Sequence, residues 1–218
     1  MSAPVYVVLG AGPGLGLAVA RRFAQEGYVA VLATRTKADA EPLAAALQEE
    51  GHAAQGVGVD LTDAADVSAV VTAVGERNGR IDVLHFNPSA WREKDPLHLT
   101  VPELLEDVAL GAGALLPAVQ AARPYLASGA RVLVTGSAAA DKPSPAAASL
   151  GVQKAAVRNL VSSLDATLAP DGIRAVAVQI NGVLGRDGAF SPPPIADAMW
   201  AAVSRPDDAW TPHVPYDG

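Results

Sequence analysis

The chain contains no cysteine. That absence excludes disulfides, thiolate nucleophiles and thiolate-held metals. It leaves the compartment open, since an intracellular protein can do without the residue. Aromatic residues make up 5% and charged residues 18% of the chain, and no basic block occurs. Lys+Arg number 16 against 23 Asp+Glu, a net charge of −7. This balance argues against nucleic acid or an anionic membrane as the partner. Long apolar runs are missing too. Residues 2–20 are uncharged, but Gly10, Gly12, Pro13, Gly14 and Gly16 interrupt them and no basic segment precedes them, unlike a signal peptide. The next uncharged run, 108–122, is too short to span a bilayer. The expectation is a soluble, cytoplasmic protein.

Half of the 218 residues are hydrophobic, which is too many for disorder. The length suits one domain over residues 1–218. Short β-branched runs fall at 5–9, 29–34, 53–59, 81–87, 131–135 and 173–180, with Ala-rich segments of helical length between them. Near-continuous apolar strands that alternate with helices imply an α/β fold with a doubly wound parallel sheet. Thr62-Asp63 opens a helix that Gly79 closes, and Thr100 with Glu103 forms a capping-box pattern around Pro102. Gly111, Gly113 and Pro117 bend or break the next helix. A long helix over 146–168 stops at Pro170 and Gly172. The tail from Ser191 reads as a short helix, 195–203, and a closing strand or loop.

The first strand runs into Gly10-Ala-Gly-Pro-Gly-Leu-Gly16 and then a helix. Glycines there let the backbone turn sharply and approach a pyrophosphate, while the helix start offers free N–H groups and a positive dipole end. The plainer reading is a tight turn with close helix packing. In this context the motif indicates a three-layer αβα Rossmann fold that binds a dinucleotide. The second strand ends in Thr34-Arg35, with no acid for a ribose 2′-hydroxyl. Arg35 suits a 2′-phosphate, so NADP(H) is favoured over NAD(H); the plainer reading is a solvated arginine.

These residues resemble the short-chain dehydrogenase/reductase family over nearly the whole chain. Gly10, Gly14 and Gly16 match its glycine spacing, with Gly12 and Leu15 in the same turn. The resemblance gives Asp60-Leu61 the adenine-contacting position. It places Phe86-Asn87-Pro88-Ser89 where the family has Asn-Asn-Ala-Gly, and Asn181-Gly182-Val183-Leu184 at the Pro-Gly turn. It implies that Ser137 and Lys154 are the catalytic serine and lysine. Cofactor contacts are thus expected from Gly10, Gly12, Gly14, Leu15, Gly16, Arg35, Asp60, Leu61, Asn87, Pro88, Lys154, Asn181, Gly182 and Leu184.

The family's Tyr-x-x-x-Lys is broken, because four residues before Lys154 stands Leu150. The variant with a longer gap fails at Ala147. Tyr6, Tyr28, Tyr125 and Tyr216 are the only tyrosines, and none is near in sequence. The helix asparagine is Ala109, the threonine before the first glycine is Leu9, and the threonine beyond the Pro-Gly turn is Arg186. In the family the tyrosine protonates the carbonyl oxygen as hydride arrives. The lysine lowers its pKa and binds the nicotinamide ribose, the serine holds the substrate oxygen, and the asparagine helps hold a water feeding the lysine. A placed general acid is worth about 10²–10⁴ in rate, so ordinary ketone reduction should be impaired while cofactor binding is spared. Three accounts stand: an atypical reductase of activated C=O, C=C or C=N groups; a non-catalytic NADP(H)-binding sensor or partner subunit; or a new reaction with a new acid or base.

Candidates for that acid or base are His85, His98, His213, Asp141 and Lys142. Structural readings are favoured for each, with His85 as a satisfied core histidine. Gln153 is expected to face a neighbouring helix. Trp91 and Trp200 are candidate walls of a substrate cleft and Trp210 is a third anchor, with packing the plainer role for all three. Residues 185–194 read as a substrate-side loop or lid. The helices over 101–126 and 146–168 correspond to the family's subunit interface, which implies a homodimer or homotetramer. The partners implied are a small-molecule substrate and a second copy, with no nucleic acid and no membrane.

Overall fold

A computed structural model describes residues 2–218. Seven strands, β1 (Val5–Leu9), β2 (Val29–Thr34), β3 (Ala54–Gly58), β4 (Val83–Phe86), β5 (Arg131–Ser137), β6 (Arg174–Ile180) and β7 (His213–Tyr216), form one sheet in the order β3-β2-β1-β4-β5-β6-β7. Every pairing is parallel. The helices are α1 (Leu15–Gln25), α2 (Lys37–Glu49), α3 (Ala64–Asn78), α4 (Val101–Val108), α5 (Leu115–Ala122), α6 (Ala148–Leu168) and α7 (Pro192–Val203). One apolar core lies between the sheet and α3, α5 and α6, the other between the sheet and α1, α2 and α7. This is the doubly wound αβα arrangement that the alternating pattern predicts, because strands buried on both faces must be apolar throughout.

Local chemistry fixes the boundaries. Asp63 caps α3 by accepting from the amides of Ala65 and Asp66, and Gly79 ends it in the left-handed region at φ 71°. The Thr100–Glu103 capping box forms as read. Between α4 and α5 the helix widens into a π segment, Ala109–Gly113. Gly111 lies within it, where a Cβ would meet Gln153 Oε1 of α6 at 2.0 Å, so the close approach of that side chain requires glycine. Helix α7 begins at Pro192, earlier than the expected 195. Its three prolines occupy the first turn, where missing N–H groups have no partner to lose.

Strand ends shift slightly. The expected 53–59 is Ala54–Gly58, 81–87 is Val83–Phe86 and 173–180 is Arg174–Ile180, while 131–135 extends to Ser137. The helix expected over 146–168 starts at Ala148. The tail does close as a strand. Pro212 and Tyr216 carbonyls accept from the amides of Ala177 and Asn181, so alternate residue Pro215 turns its nitrogen away from β6. Stretch Val101–Tyr125 has the length and hydropathy of a membrane span, yet Leu115, Ala118, Val119 and Ala122 bury against the sheet.

Candidate functional site

The strand order reverses between β1 and β4, and the crevice above the strand ends there is where such sheets bind ligands. Gly10 turns the chain at φ 76°, and a Cβ there would lie 3.1 Å from Pro88 N. Gly16 packs on Ala11, with 3.0 Å from a Cβ to Ala11 Cα. At Gly12 and Gly14 a Cβ would meet nothing within 4 Å. No side chain caps the N-terminus of α1 at Gly14, and no acid lies in its first turn. Leu15, the first helical residue, is buried in the core below. The turn therefore presents backbone and positive dipole outward, a fit for a pyrophosphate.

Below it runs a groove of about 360 Å³. Gly10, Arg35, Asp60, Leu61, Asn87 and Pro88 all line it, from four separate loops, joined by Thr34 and Ser89. Arg35 is exposed on its wall and enters no ion pair among the described residues. Asp60 accepts from the Thr62 hydroxyl at 2.6 Å and the Thr62 amide at 2.9 Å. Those bonds hold its carboxyl below the usual range. The donor set suits a phosphorylated adenosine: a free guanidinium for phosphate, and a carboxylate and apolar Leu61 for a base.

Asn87 donates from Nδ2 to the Gly10 carbonyl at 2.8 Å and accepts at Oδ1 from the Thr135 hydroxyl at 2.7 Å. Thr135 Oγ1 also lies 2.9 Å from His85 Nε2, and His85 Nδ1 lies 2.6 Å from the Tyr6 hydroxyl. His85 is thus the satisfied core histidine expected. Burial, with the charge of Lys154, pushes its imidazole down to about 3. Burial raises the Tyr6 phenol.

Ser137 and Lys154 come together across β5 and α6 around a void of only about 10 Å³, shared with Arg158, Gln179 and His213. Neither lines the groove of about 360 Å³. Lys154 Nζ donates to the carbonyls of Thr135 at 3.0 Å and Pro88 at 3.2 Å. Burial pulls its ammonium down to about 8. Ser137 Oγ accepts from Ala139 N at 3.2 Å and caps a short 3₁₀ turn, Ala138–Ala140. Leu150 sits one helical turn before Lys154, half-buried, with nothing to donate. At the end of β6, Asn181 binds Gln179 and Asp217, Phe190 fills the space beside Gly182, and Leu184 is exposed. These three residues lie apart from the groove.

The loop after β4 is tied down. Gln153 exchanges two hydrogen bonds with the Ala90 peptide, 2.9 and 3.0 Å, so it faces this loop as well as the neighbouring helix. Arg92 grips the buried Asp107 at 2.9 Å through both Nε and Nη2, and Lys94 meets Glu103 at 2.5 Å. Trp91 projects into solvent, 63% exposed, and is not among the residues that line the grooves of about 360 and 680 Å³. Trp200 is no substrate cover: it packs with Phe23, Tyr28 and Arg22 between α1 and α7. Trp210 anchors Arg131, Arg174 and Arg205 around its ring. His98 is exposed and paired with Asp95, and His213 bonds Ser162. Asp141 binds Arg158 and Gln179, and Lys142 is exposed. Of residues 185–194, the last three belong to α7. Thr135 was missed from sequence, although a polar residue inside a doubly buried strand signals a partner.

The family model described as short chain dehydrogenase matches residues 4–186. The short-chain reductase protein NovJ of Streptomyces niveus is 32% identical over 178 residues, 80% of this chain and 67% of its own. A dehydrogenase/reductase from Sinorhizobium meliloti superposes with a TM-score of 0.90 at 23% identity, covering 100% of this chain and 95% of that one. A metagenomic short-chain oxidoreductase in complex with NADP superposes at 0.86 with 22% identity, covering 99% and 97%.

Proposed function

The chain belongs to the short-chain dehydrogenase family, and from that premise we propose that it is an NADP(H)-binding oxidoreductase with a degenerate catalytic set. The observation that carries the cofactor reading is the groove under an uncapped glycine turn, with unpaired Arg35 on its wall. Arg35 pairs with the 2′-phosphate, the start of α1 holds the pyrophosphate, and Asp60 with Leu61 receives the adenine. Asn87 and Pro88 floor the groove; Asn181, Gly182 and Leu184 lie apart from it at the end of β6 and meet only a part of the cofactor that extends beyond the groove. Bound NADPH supplies a hydride. Ser137 accepts from Ala139 and keeps its own hydrogen to donate to a substrate atom. Lys154 holds its charge between two carbonyls beside it. Leu150 supplies no proton, so the substrates are small molecules with an activated C=O, C=C or C=N group.

A second reading, an NADP(H)-binding sensor or partner subunit without turnover, draws on the closed space at Ser137 and Lys154, about 10 Å³. A second copy of this chain is the further partner, as a homodimer or homotetramer. An apolar groove of about 680 Å³ lies between α4 and α6, and Val101, Leu105 and Val152 stand exposed near it. We place the protein in the cytoplasm.

Titration with NADPH and NADH, followed by nicotinamide fluorescence, tests the reading. Micromolar binding with NADPH preferred is expected. Failure of both at millimolar concentration would remove the cofactor role. Sedimentation of the same sample should show a species heavier than 22.1 kDa; a lone monomer would sink the assembly.

A further inference from the structure

Four side chains from β1, β4, β5 and the turn after β4 form one unbroken hydrogen-bonded chain, and its direction is determined. The Gly10 carbonyl can only accept, so Asn87 Nδ2 faces it, at 2.8 Å. That leaves Asn87 Oδ1 toward Thr135, whose hydroxyl must donate, at 2.7 Å. The Thr135 oxygen then accepts from His85, 2.9 Å away, which places the ring hydrogen on Nε2. His85 Nδ1 is left with a lone pair, which takes the Tyr6 hydroxyl hydrogen at 2.6 Å. Only the neutral Nε2–H tautomer completes this order.

The chain ends beneath the glycine turn. A Cβ on Gly16 would come within 3.5 Å of Asn87 Nδ2, and one on Gly10 would touch Pro88. Asn87 also donates its backbone amide to Leu9 O at 3.0 Å. Its side-chain amide therefore fills the concave underside of the turn. Packing alone does not require the polar groups: Tyr6 already stacks on Phe23 at 4.3 Å between centroids, a contact phenylalanine would keep.

We propose that Tyr6, His85 and Thr135 are positioning residues that hold the Asn87 amide, and through it the glycine turn, in the geometry that receives a dinucleotide pyrophosphate. None of the three lines the groove. The role rests on the cofactor reading above. A turn fixed before binding loses less freedom when the ligand arrives, and the gain appears as affinity.

The test uses Thr135→Val, which removes the hydroxyl and keeps the shape, and Thr135→Ser, which restores it. Both keep the backbone carbonyl that Lys154 uses. NADPH affinity should fall about tenfold in Thr135→Val and stay within about twofold of the parent in Thr135→Ser. In the free protein, exchange of the Asn87 side-chain amide and of the Gly12, Gly14 and Gly16 backbone amides should quicken in Thr135→Val only. Amides of β2 should not change, which separates loss of the turn from general loosening. Equal NADPH affinity and equal exchange in Thr135→Val and the parent would overturn the proposal. If the parent binds no NADPH, the cofactor reading falls, and exchange decides whether the chain holds the turn: faster exchange supports that hold and unchanged exchange overturns it.

Discussion

The two halves of the sheet's carboxyl edge differ in what they leave unfinished. On the β1–β4 side a groove of about 360 Å³ stands open, the α1 terminus is uncapped and Arg35 is unpaired among the described residues. On the β5–β6 side the space is about 10 Å³. There Lys154 spends two donors on carbonyls, Ser137 caps its own turn, and Asp141 joins Arg158 to Gln179. Polar groups seek partners. Where the protein withholds them, a ligand has something to bind; where it supplies them, the side chains have become their own ligands. The two halves of one edge thus differ in whether their polar groups are left open or satisfied within the chain.

The largest test of that difference is Leu150→Tyr. With NADPH saturating, reduction of a simple ketone should rise by about 10²–10⁴, the worth of a placed general acid. A flat assay would mean that the β5–β6 half is closed to substrate as well as short of an acid. Next comes Arg35→Leu. Loss of a charge-assisted phosphate contact should weaken NADPH by about 10–100-fold and leave NADH unchanged. Equal weakening of both would place Arg35 outside the 2′-phosphate site.

The smallest effect is one of pH. His85 takes up a proton near 6.5 when unfolded but only at about 3 when folded. Between those values the unfolded chain binds more protons, so stability is full above pH 6.5 and falls as pH drops toward 3. The limiting slope is about 1.4 kcal/mol per pH unit. Urea unfolding at pH 7 and pH 5 should show this loss in the parent and a shallower one in His85→Leu. That variant starts less stable, because Tyr6 and Thr135 lose their partner.

Most of the fold was legible, since strands buried on both faces leave an apolar signature that solvent-facing elements lack. Edges were less so: the end of β5 contains Gly136 and Ser137, and α7 opens on prolines, both weak signals of the element they belong to. The groove residues from Gly10 to Pro88 were legible because each follows a strand at the carboxyl edge. Which bonds close Ser137 and Lys154 was not, because Pro88 and Thr135 offer backbone carbonyls that any residue carries. The polar chain under the turn was half visible. His85 was noticed for its burial, while Tyr6 and Thr135 lie 79 and 50 residues from it in sequence.

Pro215 has a consequence for the protein in company. An edge strand is a template on which another chain can add itself, hydrogen bond by hydrogen bond. β7 is four residues long, and its outward-facing Pro215 has no N–H to offer. A strand approaching that edge finds a gap in the middle of the ladder, so fibrillar stacking through β7 is discouraged without any charge on the strand's outer rim.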